Sequence, residues 1–268
     1  VRPEPVEGLL SAAPPVISIS DAQLAAWIAP LLWPFLRVLA LLSALPVLGQ
    51  RNVPMRVRIG LAGVVAVAAQ ASLPAMPVVP LDSLAVAGFV VQQIVIGLTM
   101  GFVVRVVFAG VELAGELIGL QMGLNYAGFF DPASGAQGTA TSRFFGTTIG
   151  FLFIAVNAHL LVVAAVVQSF HAFPVGSEPF AFLRAMQPQT WGAEVFAIGL
   201  WIALPLVGML LFVNLVLGII SRVASQMNIF AIGFPVTLGV GLLGILLTLP
   251  MMQAPFTMAL ERMLDKFQ

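Results

Sequence analysis

Two acidic residues one helical turn apart are the clearest candidates for chemistry in this sequence. Glu112 and Glu116 lie four residues apart in an apolar part of the chain. Like charges at this spacing repel each other, and acids near a bilayer are unfavourable, so their presence needs a reason. Either their helix leaves the lipid and the acids are solvated or bound to subunit backbone, or they line a polar channel or bind a partner's arginine. A proton relay lacks a second acid in another segment to receive the proton.

The sequence contains none of the usual catalytic or metal-binding patterns. It has no cysteine and two histidines, His159 and His171, so thiolate chemistry and zinc sites of the HExxH kind are excluded. It has no Gly-x-Ser-x-Gly motif and no phosphate-binding loop, and its single lysine, Lys266, argues against ATP hydrolysis. We therefore expect a protein that is not an enzyme and needs no cofactor, and the net charge of +0 favours no nucleic acid partner.

Residues 121–146 differ in composition from the rest of the chain. They combine Gly with Asn, Asp, Pro, Ser and Thr, and Asn, Asp, Ser and Thr are scarcer in the apolar segments on either side. Asp131-Pro132 and Ser134-Gly135 are turn signals, and glycine lets such a segment rearrange at little energetic cost. Met122 stands at the start of this loop, where a flexible apolar side chain is suited to sealing a gap. The pattern predicts a movable loop between two helices.

Six apolar segments must position these residues. Five contain no charged residue, and they span residues 59–81, 83–104, 144–177, 195–221 and 223–260. A sixth, residues 24–48, carries one charge, Arg37. Each is long enough for a helix that crosses a bilayer, which needs roughly 20 apolar residues. The chain is 60% hydrophobic and 8% charged, whereas soluble domains carry about 25% charged residues. The sequence predicts an all-α membrane protein with about six hydrophobic helices, kinked by their prolines.

The chain divides into three parts by composition. Residues 1–15 are polar and rich in proline, and we expect them to be disordered or to be a leader that precedes the natural translation start. Residues 16–260 form the membrane domain. Residues 261–268 form a short polar tail of amphipathic character.

Glycines recur at a spacing of four in the third segment. Gly97 and Gly101 form one pair, and Gly115 and Gly119 form another. This small-xxx-small pattern lets membrane helices approach closely. Packing within the chain and contact with another subunit are both compatible with it.

Several motifs together resemble one family. The run Glu112-Leu-Ala-Gly-Glu-Leu-Ile-Gly-Leu-Gln-Met-Gly-Leu124, followed by Asp131-Pro132, is similar to the FliR/SctT family of type III secretion export-gate subunits. The other motifs that carry the likeness are Ser169-Phe170 with Pro174, Ala203-Leu-Pro205, and Arg222 with Gln226-Met-Asn-Ile-Phe-Ala-Ile-Gly-Phe-Pro235. The likeness spans roughly residues 18–260. Ser225 stands where the family usually has proline.

The resemblance implies a function. Members of this family form one all-helical subunit of a hetero-oligomeric, helical export-gate assembly with FliP-like and FliQ-like chains, and they dock FlhB-like and FlhA-like components. The gate passes unfolded flagellar proteins out of the cytoplasm, so the expected location is the bacterial inner membrane at the flagellar basal body, in contact with membrane lipid. Helices in the family are tilted and broken.

The resemblance also assigns roles to residues. The family's loop after the Gln-Met-Gly motif acts as a plug in the pore, and it corresponds to residues 125–142. The predicted plug and gating residues are Met122, Gly123, Asn125, Gly128, Phe129, Phe130, Asp131, Pro132, Gly135 and Gly138. The predicted polar or interface residues are Glu112, Glu116, Arg143, Arg222, Gln226 and Asn228.

Three other functions compete with this one. The injectisome version of the same machine, an SctT subunit, uses the same motifs. A small-molecule secondary transporter predicts inverted repeats and polar residues at broken helices near the membrane midplane, and the sequence shows broken helices without a convincing repeat. An intramembrane enzyme needs acids or histidines clustered from separate segments, and the sequence does not supply them.

Overall fold

The computed structural model describes residues 21–79, 83–124, 139–176, 182, 186–224, 226 and 229–267. The regular structure in these ranges is helical, and no strand occurs within them. The expectation of an all-α fold is therefore confirmed. The expectations for residues 1–15 lie outside the described residues.

Eight helices position the rest of the described chain. They are α1 Asp21–Ala44, α2 Met55–Ala69, α3 Leu84–Met122, α4 Ala140–Ala155, α5 Ala158–Ala172, α6 Trp191–Val223, α7 Ile229–Thr248 and α8 Gln253–Leu264. Short 3₁₀ turns cover residues 70–72, 188–190, 249–252 and 265–267. Prolines lie inside α1, α6 and α7.

The helices are suited to a membrane by their length and composition. Five apolar spans in the described ranges are long enough to cross a bilayer, and α4 with α5 makes a sixth if this bent pair is one span. The five are Ala26–Ala44, Met55–Ser72, Ala85–Met122, Pro188–Val223 and Ala231–Phe267. The chain is an integral membrane protein, and the predicted number of about six apolar segments agrees with these spans.

Helix α3 is the central helix of the fold, on which most of the other helices pack. It has 39 residues, so it is roughly 58 Å long, about twice the thickness of a bilayer's hydrocarbon core. Helix α1 packs on its first half, where Gly97 and Gly101 lie against α1. Helix α6 packs on its second half, where Gly110 lies against Ile198. We call α1, α2 and residues 84–104 the first tier.

The second tier consists of residues 105–122 of α3 with α4, α6, α7 and α8, all of which contact α3. Helix α6 runs in the same direction as α3, because Phe102 contacts Trp191 and Gly110 contacts Ile198. Helices α7 and α8 run in the opposite direction. Helix α5 leads from the second tier, where residues 265–267 pack on it, to the first tier, where its end meets α1.

The fourth predicted segment is two helices rather than one. Helices α4 and α5 are bent by 70° at the break between them. Asn157 sits at this break with a φ of 56°, a left-handed conformation that asparagine tolerates better than most residues. The apolar run therefore continues across the break while the helix does not.

The predicted short polar tail is part of the packed structure. Helix α8 reaches Leu264, and the side chains of Met263, Leu264 and Phe267 are completely buried. The polar residues of this stretch lie on its other face, and Arg262 pairs with Glu194 of α6. The C-terminal residues described here thus belong to the core of the second tier.

Candidate functional site: the loop stems and a buried arginine

The first stem of the segment 125–138 is the end of α3. Gly123 adopts a φ of 81°, which glycine reaches without strain. Its N–H and that of Leu124 donate to the carbonyls of Leu120 and Gly119, at 3.1 and 3.0 Å. This pattern ends a helix sharply. The sequence therefore stops α3 just before the loop.

Met122 fixes this first stem to α7. Its side chain is completely buried and lies so close to Gly241 that a Cβ at Gly241 would overlap it. The hydroxyl of Thr237 lies 3.4 Å from the Met122 carbonyl oxygen, a long hydrogen bond, and the carbonyls of Gly233 and Phe234 are closer to it at 3.1 Å. In this structure Met122 contacts α7, because glycine at position 241 leaves the space that its side chain fills. Its predicted role in gating stays a prediction.

The second stem is the start of α4. Thr139 caps this helix, since its Oγ1 accepts a hydrogen bond from the Ser142 N–H at 3.2 Å. The Thr139 hydroxyl and N–H both donate to Oε2 of Glu116, at 2.8 and 3.3 Å. Glu116 thus binds the N-terminus of α4, where a negative charge is favourable. Both stems are attached to the last two turns of α3.

Glu112 has a different environment from Glu116. It is exposed and lies over α4, where a Cβ built at Gly146 would be 2.9 Å from its Oε1. The two acids therefore face the same helix, one at its start and one about two turns further along it. Neither has a partner acid or histidine within a metal-binding group in the described part of the chain.

A buried arginine, to which the sequence assigned no role, joins three helices in the first tier. Arg37 is completely buried. It donates from Nε to Gln93 Oε1 at 2.8 Å, from Nη1 to Ser169 Oγ at 2.9 Å, and from Nη2 to the Phe173 carbonyl at 2.9 Å. Its guanidinium carbon stands 3.6 Å from the centre of the Phe170 ring, which is a cation–π contact.

A second layer of hydrogen bonds supports this arginine. Gln93 Nε2 donates to Gln92 Oε1 at 3.1 Å, and Gln92 Nε2 donates to the Pro174 carbonyl at 3.3 Å. The Gly176 N–H donates to Gln92 Oε1 at 3.2 Å. We call Arg37, Gln92, Gln93, Ser169 and the carbonyls of Phe173 and Pro174 the arginine cluster.

Neutral acceptors and an aromatic face hold the charge in this cluster. Among the residues described, the hydrogen-bond partners of Arg37 are two neutral side chains and a carbonyl, and no carboxylate pairs with it. The described residues of the cluster include no nucleophile with an adjacent base. The cluster is a buried hydrogen-bond network that holds α1, α3 and the end of α5 together. The sequence did contain a signal for it, because Arg37 is the one charge in an otherwise apolar segment.

Comparison with known proteins decides the family. The family described as bacterial export proteins, family 1, matches residues 28–263. This chain belongs to that family.

Relatives in this export-protein family are similar along nearly their whole length. Flagellar biosynthetic protein FliR of Escherichia coli K12 is 42% identical over 244 residues, which is 90% of this chain and 92% of the relative. The FliR of Pectobacterium carotovorum is 37% identical, with 88% of this chain and 90% of the relative covered. The FliR of Bacillus subtilis is 32% identical, with 77% and 80% covered. The resemblance to the FliR family is thus confirmed.

The glycines of the small-xxx-small pattern lie at close helix contacts within this chain. A Cβ at Gly97 would overlap the Arg37 carbonyl oxygen, and one at Gly101 would overlap Ala44. Gly119 lies in the same way against Thr141, and a Cβ at Gly115 would be 2.9 Å from the Thr141 carbonyl oxygen. These glycines let α1 and α4 approach α3 at backbone distance.

The other predicted residues are spread along the export-protein fold. Arg143, Arg222 and Gln226 are exposed, and Arg143 has at least one interaction partner. The remaining predicted residues, which lie outside the described part of the chain, are Asn125, Gly128, Phe129, Phe130, Asp131, Pro132, Gly135, Gly138 and Asn228. The histidines do not form a site together, since His171 contacts the Ser72 carbonyl at 3.1 Å and His159 packs near Phe153.

Proposed function

We propose that this chain is a non-enzymatic subunit of the flagellar type III protein export gate, in the bacterial inner membrane at the flagellar basal body. The observation that carries the proposal is the family match over residues 28–263, together with relatives that are FliR proteins. In this role the chain assembles with FliP-like and FliQ-like subunits and docks FlhB-like and FlhA-like components. Unfolded flagellar proteins are the substrates that pass through. The flagellar names of these relatives favour this machine over the injectisome.

The distribution of buried surface supports a subunit that is covered by other molecules. In the most apolar stretch of Ala85–Met122, 61% is buried within the chain. The most apolar stretches of three other spans are much less buried, with 11% for Met55–Ser72, 17% for Pro188–Val223 and 22% for Ala231–Phe267. Apolar faces of this size need an apolar environment. Lipid covers part of them, and neighbouring gate subunits cover the rest.

The loop 125–138 is the stopper of the channel in this proposal. The attachment of both stems supports it: Met122 is set against α7, and Thr139 is bound to Glu116. A loop that is held at both ends but made of small, polar residues is able to move aside without loosening the helices. Phe129 and Phe130 are its large apolar residues, and they close the channel by contact.

The first experiment tests the export role. Deletion of the gene in its own bacterium should abolish motility and stop the appearance of hook and filament proteins in the medium. Affinity purification of the chain in a mild detergent, followed by mass spectrometry, should recover FliP-like and FliQ-like chains. Normal motility in the deletion strain, or purification of a clean monomer, would contradict the proposal.

The second experiment tests the stopper by ion leak through the assembled gate in planar bilayers. Deletion of residues 128–137 keeps Thr139, which caps α4, and should raise the leak. The double substitution Phe129→Ser and Phe130→Ser keeps the loop length and should raise it as well. Phe151→Ser is the matched control, because Phe151 is a highly exposed residue of α4 outside the loop. Equal leak from all variants and the parent chain would remove the stopper.

A further inference from the structure

A cavity lies where the two tiers meet on one face of α3. Helix α1 ends here at Ala44, and helix α6 begins here at Trp191, so the two helices follow each other along α3 with a gap between them. The cavity has a volume of about 400 Å³, and its lining residues are Ala44, Leu98, Thr99, Phe102, Arg105 and Trp191. It belongs neither to the loop stems nor to the arginine cluster.

Arg105 provides a partly unused cation in this cavity. Its Nε donates to the Ala44 carbonyl at 2.6 Å, and this bond orients the guanidinium at the end of α1. Both Nη groups lack an acceptor in the described part of the chain. Arg58 differs, because its guanidinium binds the carbonyls of Leu48, Gln50 and Val53. The side chain of Arg105 is exposed, so its Nη groups are open to a ligand.

An apolar track leads up to this cation. Leu98, Phe102 and Arg105 are spaced by four and three residues, so they lie on one face of α3. Leu98 is 43% exposed and Phe102 is 51% exposed. The ring of Trp191 packs against Phe102 with the ring centres 5.7 Å apart. Its buried indole N–H has no hydrogen-bond partner in the described residues.

We propose that this cavity binds an anionic phospholipid, with the phosphate at the Nη groups of Arg105 and an acyl chain along Leu98 and Phe102. A guanidinium fork matches the geometry of a phosphate. The apolar side chains of the track make no favourable contact with a free phosphate, but they match an acyl chain. Both features lie within the apolar span Ala85–Met122, and a molecule that joins a phosphate to an acyl chain matches the cation and the track together. The N-terminus of α6 adds a favourable partial positive charge.

The test measures lipid retention by the full chain, solubilised in a mild non-ionic detergent with the subunits that co-purify. Native mass spectrometry compares phosphatidylglycerol with phosphatidylcholine of the same acyl chains, added at equal concentration. The parent chain should retain phosphatidylglycerol about tenfold better, because phosphatidylcholine has the same phosphate but its trimethylammonium group offsets the negative charge that Arg105 binds. Arg105→Gln should abolish this preference. Arg56→Gln is the matched control, because Arg56 is exposed on α2 outside the cavity and the charge change is the same.

A second variant separates lipid binding from folding. Leu98→Gln leaves Arg105 and its bond to Ala44 unchanged but places a polar group on the track, and it should lower retention of both lipids. Retention of phosphatidylglycerol by Arg105→Gln at the parent level would overturn the proposal, and so would an equal loss in Arg56→Gln. Displacement of the lipid by millimolar inorganic phosphate would show that the site takes the anion alone, and that result would overturn the assignment to a lipid.

Discussion

The arginine cluster and the loop stems lie towards opposite ends of α3 and are held by different forces. In the cluster, a buried charge makes hydrogen bonds of 2.8–2.9 Å to two side chains and a carbonyl. At the first stem, a flexible methionine packs on glycine, and the accompanying hydrogen bond is 3.4 Å long. Separation of the helices at the arginine cluster therefore costs much free energy, whereas the contacts at the first stem rearrange at little cost.

The physical reason for this difference is desolvation. A charge that is buried away from water loses its hydration, so removal of its partners leaves an uncompensated group. A methionine that moves from one apolar contact to another loses little, because its thioether chain adopts many shapes. A protein that keeps its helices fixed while a loop moves uses the first kind of contact in its frame and the second kind at its moving part.

The largest effect should come from Arg37→Met. This variant leaves three buried acceptors, on Gln93, Ser169 and the Phe173 carbonyl, without their donor. An unsatisfied buried acceptor costs about 1–3 kcal/mol, so we expect the free energy of unfolding to fall by about 3–5 kcal/mol. Unfolding followed by circular dichroism in detergent measures it. Adding Gln93→Leu and Ser169→Ala should recover much of the loss, because the orphaned groups are then removed too. A stable single variant would show that the cluster does not hold the first tier together.

The next effect should come from Gly97→Ala. The added methyl meets the backbone of α1, which cannot move aside like a side chain, so we expect a loss of about 1–3 kcal/mol. Gly88→Ala is the matched control on the same helix, because no atom lies within 4 Å of a Cβ there. It should be neutral or slightly stabilising. Equal unfolding midpoints for the two variants would mean that α1 does not depend on close approach to α3.

A smaller effect should come from Thr139→Ala. The variant loses the cap of α4 and the hydroxyl hydrogen bond to Glu116, while the backbone N–H of residue 139 still reaches Glu116. The loss should lower stability by about 1 kcal/mol. Amide hydrogen exchange should become faster at Ser142 and Arg143, in the first turn of α4. Thr139→Ser retains the hydroxyl and serves as the control. Unchanged exchange in the alanine variant would show that the Thr139 hydroxyl is not needed at the second stem.

The smallest effect on stability should come from Gly241→Ala. The new methyl meets the flexible side chain of Met122, which moves away, so the free energy of unfolding should change by less than about 1 kcal/mol. Displacement of Met122 should still raise ion leak through the assembled gate. Gly239→Ala, where no atom lies within 4 Å of a Cβ, should not. A large loss of stability in Gly241→Ala would show that the first stem is as rigid as the arginine cluster, and it would contradict the difference proposed between the two regions.

The elements of this fold were largely predictable from the sequence. A lack of charge over some 20 residues has one common physical outcome, which is an apolar helix. The ends of helices were less predictable, because a charged residue does not end a helix. Helix α6 therefore begins at Trp191, before Glu194, although the charge-free run begins after it. Asn157 carried the signal for the break between α4 and α5, but the same residue also suits a hydrogen bond between helices.

The arrangement of the sites was not predictable in the same way. The bonds of Arg37 join residues 56, 132 and 136 positions apart, and no local pattern encodes such a pairing. The role of Glu116 as the partner of Thr139 depends on how α4 folds back on α3. The buried position of Met122 depends on a glycine in α7. The spacing of residues in the sequence predicts the helix face on which a residue lies. The residues that this face contacts depend on tertiary packing.

The wide separation of the acceptors of Arg37 also has a consequence for synthesis. Ser169 is made 132 residues after Arg37, so at ribosomal rates of about 5–20 residues per second the guanidinium waits roughly 7–26 s for it. Gln93 arrives 56 residues after Arg37. During this interval the first helix enters the bilayer with an incompletely paired cation, so its early insertion depends on water, lipid headgroups or the insertion machinery.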